Sequence, residues 1–202
     1  MATKVKSTLF SMTLTLLIVT AIAAGLLALV YQYTKDPIKE ADLKKQKIAL
    51  RQVLPKFDNN PIKEADTIQS DIPGEQYNLV IFPAKKKGKL VGIAIKTFTT
   101  KGFDGRFNVM VGFLPDGTIY NSIVLNHHET PGLGDKIDPK KSNFSKQFAG
   151  KNPASFVLKV KKDGGDVDAI TAATISSRAY CDALQRAYNA FKTLNLKNFT
   201  KN

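Results

Sequence analysis

From Ser7 to Thr34 the chain carries no charged residue, and Leu9 to Val30 is mostly Leu, Ala, Ile, Val and Thr. In helical form this 22-residue run extends roughly 33 Å at about 1.5 Å per residue, close to the ~30 Å hydrocarbon core of a bilayer. An uncharged stretch of that length predicts a membrane-spanning helix. A secretory signal peptide is the competing reading, since Lys4 and Lys6 make a basic start and Ala21-Ile22-Ala23 resembles a cleavage site. Apolar residues continue through Leu26-Leu27-Ala28-Leu29-Val30, past the ~7–15 residues of a usual signal core, which favours retention as an anchor. Lysines lie on both flanks (Lys4 and Lys6; Lys35, Lys39, Lys44, Lys45 and Lys47), so charge alone does not set the orientation.

The rest of the 202 residues suits one domain, giving an anchor over 1–36 and a domain over 37–202. Lys and Arg number 30 against 17 Asp and Glu, a net charge of +13; without Lys4, Lys6, Lys35 and Asp36 the counts are 27 and 16, a balance of +11. Such a surface suits anionic lipid or an acidic partner. No nucleic acid is expected: Lys85-Lys86-Lys87 next to Gly88 reads as a hairpin tip, and no nucleic-acid motif accompanies it. Cys181 is the single cysteine, which excludes an internal disulfide and a thiolate metal cluster; its place in the apolar pattern of the last helix makes it a packed small hydrophobe.

After the anchor, Asp36-Pro37 reads as an N-cap with proline at the first helical position, opening a helix that stops near Pro55. Asp58 to Gly74, with Asn59-Asn60-Pro61 and Pro73-Gly74, reads as irregular connection holding at most a short element. Tyr77–Pro83 and Lys89–Thr99 are β-rich runs joined by the lysine-glycine tip. Beyond the Gly102-Phe103-Asp104-Gly105 turn, Phe107–Leu114 and Thr118–Asn126 form a second pair around Pro115-Asp116-Gly117. Lys141–Phe148 suits a short helix with Phe144 and Phe148 on one side, and Ala154–Val160 a further strand. From Ile175 the spacing turns helical: Ile175, Ala179, Ala183, Ala187 and Phe191 share a stripe, with Tyr180, Leu184 and Tyr188 beside it. The order predicts an α+β fold: an N-terminal transmembrane helix, then a single domain with a mainly antiparallel sheet, flanking helices and a long C-terminal helix.

Two segments carry candidate chemistry. Asp168-Ala169-Ile170-Thr171-Ala172-Ala173-Thr174-Ile175-Ser176-Ser177 crowds small and hydroxylated residues at a helix start, where backbone N–H groups suit an anion. Taken alone, it is compatible with an ordinary cap at Thr171 or Thr174. Asn126-His127-His128-Glu129-Thr130-Pro131-Gly132-Leu133-Gly134-Asp135-Lys136 invites a metal reading. On a continuing strand, however, His127 and His128 point to opposite faces, so no metal site is expected. Gly132 and Gly134 permit close backbone approach of a flat ligand, and a plain turn needs them equally.

In this order, Glu129-Thr130-Pro131-Gly132-Leu133-Gly134 and the threonine segment resemble the flavin-binding domain of the G subunit of Rnf-type ion-translocating electron transport complexes. The C subunit of the sodium-pumping NADH:quinone reductase shares that domain. The resemblance implies FMN joined by a phosphoester bond to the last threonine of a Ser/Thr-Gly-Ala-Thr motif, attached by a separate flavin transferase. Thr171, Ala172, Ala173 and Thr174 take those four places, Thr174 being the modified residue. Ala172 stands where glycine is usual; a left-handed backbone there would cost about 1–2 kcal/mol. Ser176 belongs to the same helix start, Leu133 and Gly134 are expected against the isoalloxazine, and Glu129 and Thr130 supply polar contacts.

The resemblance further implies a single-pass protein of the cytoplasmic membrane with its domain on the extracytoplasmic side. There it would relay electrons among the subunits of a complex coupling electron transfer to ion translocation, with no side chain acting as acid or base. The alternatives are a membrane-tethered basic binding module without redox activity and a free-standing extracytoplasmic flavin carrier.

Overall fold

The computed structural model describes residues 8–72 and 75–199. Lys4 and Lys6 and the Pro73-Gly74 turn fall outside the described residues. The chain divides into two compact units, one up to Lys44 and the other from Lys45 onward.

Helix α1 runs unbroken over Leu9–Val53. It is long and apolar enough to cross a membrane, and its most apolar window has a mean hydropathy of 2.5 with none of it buried in the protein. The expected N-cap at Asp36-Pro37 is not formed, because Pro37 lies inside the helix. Proline removes one N–H and leaves the Tyr33 carbonyl without its helical partner. Around it, Lys39, Glu40, Ala41, Leu43 and Lys44 to Gln46 are strong helix formers, and the helix carries through.

Five strands follow: β1 Asp66–Ile72, β2 Glu75–Lys86, β3 Lys89–Gly102, β4 Gly105–Phe113 and β5 Ile119–Asn126. They pair antiparallel in sequence order, so the sheet is a meander of consecutive hairpins. Strand β1 is the short element within the connection over Asp58 to Gly74: its polar sequence Asp-Thr-Ile-Gln-Ser-Asp-Ile lacks the apolar alternation of a buried strand and is held by its register along β2. The β2–β3 tip is Lys87-Gly88, both at positive φ (51° and 75°), a two-residue turn that matches the twist of the strands. At the β4–β5 turn, the Thr118 N–H donates to Asp116 Oδ1 (2.9 Å) and Gly117 takes φ +85°.

Alternation along the strands gives the sheet two apolar faces. One carries Leu79, Ile81, Ile93, Ile95, Phe107, Val109, Val111 and Phe113 and packs on helix α2, Thr174–Thr193, through Ala179, Tyr180, Ala183, Leu184, Ala187 and Phe191. The other carries Phe82, Ala84, Ala94, Met110 and Ile123 under Ala49, Leu50, Val53 and Leu54, at and just past the end of α1. Phe144 and Phe148, on a 3-10 turn over Phe144–Phe148, lie edge to face at 5.6 Å, and both contact Tyr180 (5.5 and 5.4 Å). Tyr180 is fully buried and donates to Ser122 Oγ (2.9 Å); burial pushes its phenol pKa upward. Cys181 is buried in the same core, and desolvation raises its thiol to about 12, which keeps it an inert packing group at neutral pH.

Ala154–Val160 is a set of turns rather than the expected strand. Asn152 organises it: its side chain accepts from Ala154 N–H (3.0 Å) and its carbonyl from Ser155 and Phe156 N–H, while Asp166 accepts from Val157 N–H (2.7 Å). Side-chain acceptors of this kind compete with ladder formation, and only an isolated parallel bridge, Val160 to Val167, remains.

Candidate functional site

The start of α2 is shaped by the turn before it. Ala173 N–H donates to the Ile170 carbonyl (3.0 Å), and Ser177 Oγ accepts from Ile170 N–H (2.9 Å) while donating to the Ala173 carbonyl (3.0 Å). The buried Ser177 thereby ties the turn to the helix it precedes. Closing the turn takes Ala172 to φ +61°, the left-handed region in which an alanine methyl is strained. Ala173 is the N-cap residue and supplies no side-chain cap; the first turn holds no acidic residue. Neither Thr171 nor Thr174 caps the helix. Among the described residues, the N–H groups of Thr174, Ile175 and Ser176 have no acceptor and the Thr174 hydroxyl has no partner. Thr174, half-buried, is the first helical residue, so the positive end of the helix dipole opens at its side chain.

Facing this start is the loop after β5. Its chain folds back on the Thr130 carbonyl, which accepts from Leu133 and Asp135 N–H (3.2 and 3.3 Å), with Gly132 at φ +78°. Glu129 is only 4% exposed. One carboxylate oxygen accepts the Ser176 hydroxyl, in a short bond to the first turn of α2, and the other faces the Asp104 N–H at 3.5 Å. A single buried carboxylate therefore joins three segments: the β3–β4 turn, the loop and the helix start. Gly134 is required where loop and helix meet, since a Cβ there would lie 2.5 Å from Ser176 Oγ and 2.6 Å from Glu129 Oε2.

These segments enclose a cavity of about 480 Å³, within the ~300–1,000 Å³ of small-molecule sites. Glu129, Thr130, Leu133, Gly134, Ala172, Ala173, Thr174 and Ser176 all line it, so eight of the nine residues singled out in the sequence converge. Thr171 lies on the exposed turn just before and is outside the lining. Phe103 and Ile175 complete the wall. The sequence marked Phe103 only as turn material and Ile175 only as part of the helical stripe; the signal that would have singled them out is a large apolar residue at a turn tip and at a helix start.

A larger cleft of about 600 Å³ runs farther along α2 past Arg178, Cys181, Asp182 and Gln185. Its acidic groups are already paired: Asp163 with Arg178 (2.7 Å, bidentate) and Asp182 with Lys101 (2.7 Å). Asp135 Oδ1 and His127 Nδ1 are buried without a hydrogen-bond partner, and no group of three or more His, Cys, Asp and Glu side chains converges among the described residues.

Comparison with known proteins assigns this architecture. Residues 102–189 match the family described as FMN-binding domain, and residues 1–53 match the RnfG N-terminal region. The chain is 38% identical over 179 residues to the G subunit of the ion-translocating oxidoreductase complex of Vibrio atlanticus, covering 86% of each chain. It is 38% identical over 185 residues to the protein of the same name from Erwinia tasmaniensis, covering 89% of this chain and 88% of that one. The Salmonella typhi protein of that name is 38% identical over 181 residues, with 86% of each chain covered. The chain belongs to the family of G subunits of ion-translocating oxidoreductase complexes. Every residue lining the cavity falls within the 102–189 match, which opens at the β3–β4 turn and closes inside α2. The stretch that matches the FMN-binding domain is thus the part of the chain that builds the cavity's three walls.

Proposed function

We propose that this chain is a membrane-anchored flavoprotein subunit that carries FMN and relays electrons within an ion-translocating oxidoreductase complex. On this reading residues 1–36 anchor the chain in the cytoplasmic membrane and residues 37–202 form the carrier domain on the extracytoplasmic side. Its partners are the other subunits of the complex and, during maturation, a flavin transferase. Bound FMN supplies the redox chemistry, and the chain holds it, orients it and limits its contact with water.

The single observation that carries this reading is the position of Thr174. Its hydroxyl is free, and the residue lines a flavin-sized apolar cavity and adjoins three unpaired N–H groups at the head of α2. A phosphoester there places one negative charge where no side chain caps the helix, worth about 0.3–1 kcal/mol at an exposed terminus. The covalent link also keeps the flavin in place through changes of redox state. Glu129 holds Ser176 and the Asp104 amide, which keeps the cavity open around the attachment point. Leu133 and Gly134 offer an apolar side chain and close backbone approach to the flat ring.

Co-expression with a flavin transferase tests the reading. Protein run on a denaturing gel should show flavin fluorescence at its own mobility, and Thr174→Ala should lose it while remaining folded in the membrane fraction. Wild-type protein that is fully expressed, membrane-bound and dark in the gel would instead favour a tethered binding module.

A further inference from the structure

Outside α1, five large apolar side chains are notably exposed among the described residues: Phe103, Tyr120, Leu133, Val157 and Ile175. Three of them, Phe103 (66%), Leu133 (41%) and Ile175 (46%), rim the Thr174 cavity, each from a different segment. Apolar surface gathered around one opening marks a place that something apolar covers.

Phe103 is the most exposed of the three, and its backbone is held on both sides. It occupies the first position of a two-residue turn between Gly102 and Gly105, which pair across the hairpin. Gly102 admits no Cβ, because one would collide with the Gly105 carbonyl and approach Glu129 Oε1 to 2.5 Å; Gly105 takes φ +89°. The next residue, Asp104, turns its N–H towards Glu129. Below the turn, Lys101 Nζ and Thr99 Oγ1 both donate to Asp182 on α2 (2.7 and 2.9 Å), fastening the end of β3 to the helix that begins at Thr174. The braced tip places the ring beside the cavity.

We propose that Phe103 packs against the isoalloxazine ring of the Thr174-linked flavin and shields it from water, so that the Gly102–Gly105 turn is a wall of the flavin site. The inference rests on the proposed covalent FMN. An aromatic side chain and a flat heteroaromatic ring gain from offset or edge contact beyond the area they bury. The rigid turn means this contact requires little ordering on loading.

The test uses full-length protein loaded by the transferase, with attachment scored by fluorescence in the denaturing gel. In Phe103→Trp, an indole in contact with the excited flavin donates an electron to it. The flavin emission of the native protein should therefore fall several-fold below wild type and recover on unfolding in urea. In Phe103→Ala, attachment should persist while quenching of the flavin by added iodide increases several-fold. Phe103 is exposed, so neither change removes core packing. Normal attachment with native emission of Phe103→Trp equal to wild type and iodide access unchanged in Phe103→Ala would overturn the inference and leave the covalent reading intact. Absence of attachment in the wild type would overturn both.

Discussion

Ala172 carries the backbone strain of the turn before α2. Its φ of +61° costs about 1–2 kcal/mol for a side chain bearing a Cβ, and glycine would avoid that cost. Ala172→Gly should stabilise the folded domain by about 0.5–1 kcal/mol, because relief of strain is partly offset by the ~0.4–1 kcal/mol of added freedom in the unfolded chain. Urea midpoints of the two proteins check this, and flavin attachment should be retained. Asp182 sets a second expectation. Burial would raise its pKa, but hydrogen bonds from Lys101, Arg186 and Thr99 outweigh burial and hold it below the usual carboxylate range. A carboxylate depressed in the native state adds stability that is complete above its unfolded value of about 3.9 and is lost as pH falls through its lower native value. Between about pH 6 and about pH 3 the wild type should lose more stability than Asp182→Asn. At this scale the sequence was informative about identity and silent about geometry. It named Ala172 as the departure from glycine, yet the sign of φ is set by the Ile170–Ala173 and Ser177 hydrogen bonds that close the turn. A large apolar residue at a turn tip marks Phe103 in the sequence, but that it forms a wall follows only from the fold, which sets the Gly102–Gly105 turn beside Glu129.

At the scale of elements, period-2 and period-3.6 patterns located β2 to β5 and α2, since each buries one face and repeats accordingly. Where the pattern was weak, tertiary pairing decided. β1 is polar and exists by pairing with β2, whereas Ala154–Val160 is apolar enough for a strand but is turned by Asn152 and Asp166. Asp36-Pro37 had the form of a helix start, yet strong helix formers carry α1 across it. The end of α1 then becomes part of the domain core, with Leu50 fully buried and the Val53 carbonyl so close to β4 that Gly112 admits no Cβ. Leu50→Ala should cost about 2–5 kcal/mol in equilibrium unfolding, as for other large-to-small core changes. A value under about 1 kcal/mol, within the range of surface substitutions, would mean that this helix end is not core.

For the molecule as a whole, the chain combines an apolar helix of membrane-crossing length with a domain whose cavity opens at the head of α2. The proposed tethered carrier would use both: the anchor restricts the search for redox partners to the membrane surface, and the cavity holds the cofactor on the tether. Membranes washed at high pH should retain the full-length protein, and deletion of residues 8–34 should release it to the soluble fraction. The proposed function as a tethered carrier turns above all on the proposed site of attachment. Intact mass of protein co-expressed with a flavin transferase, followed by fragmentation of the peptide containing residues 168–178, should show FMN less one water on Thr174 and none in Thr174→Ala. An unmodified peptide, or an adduct that maps to another residue and persists in Thr174→Ala, would contradict it.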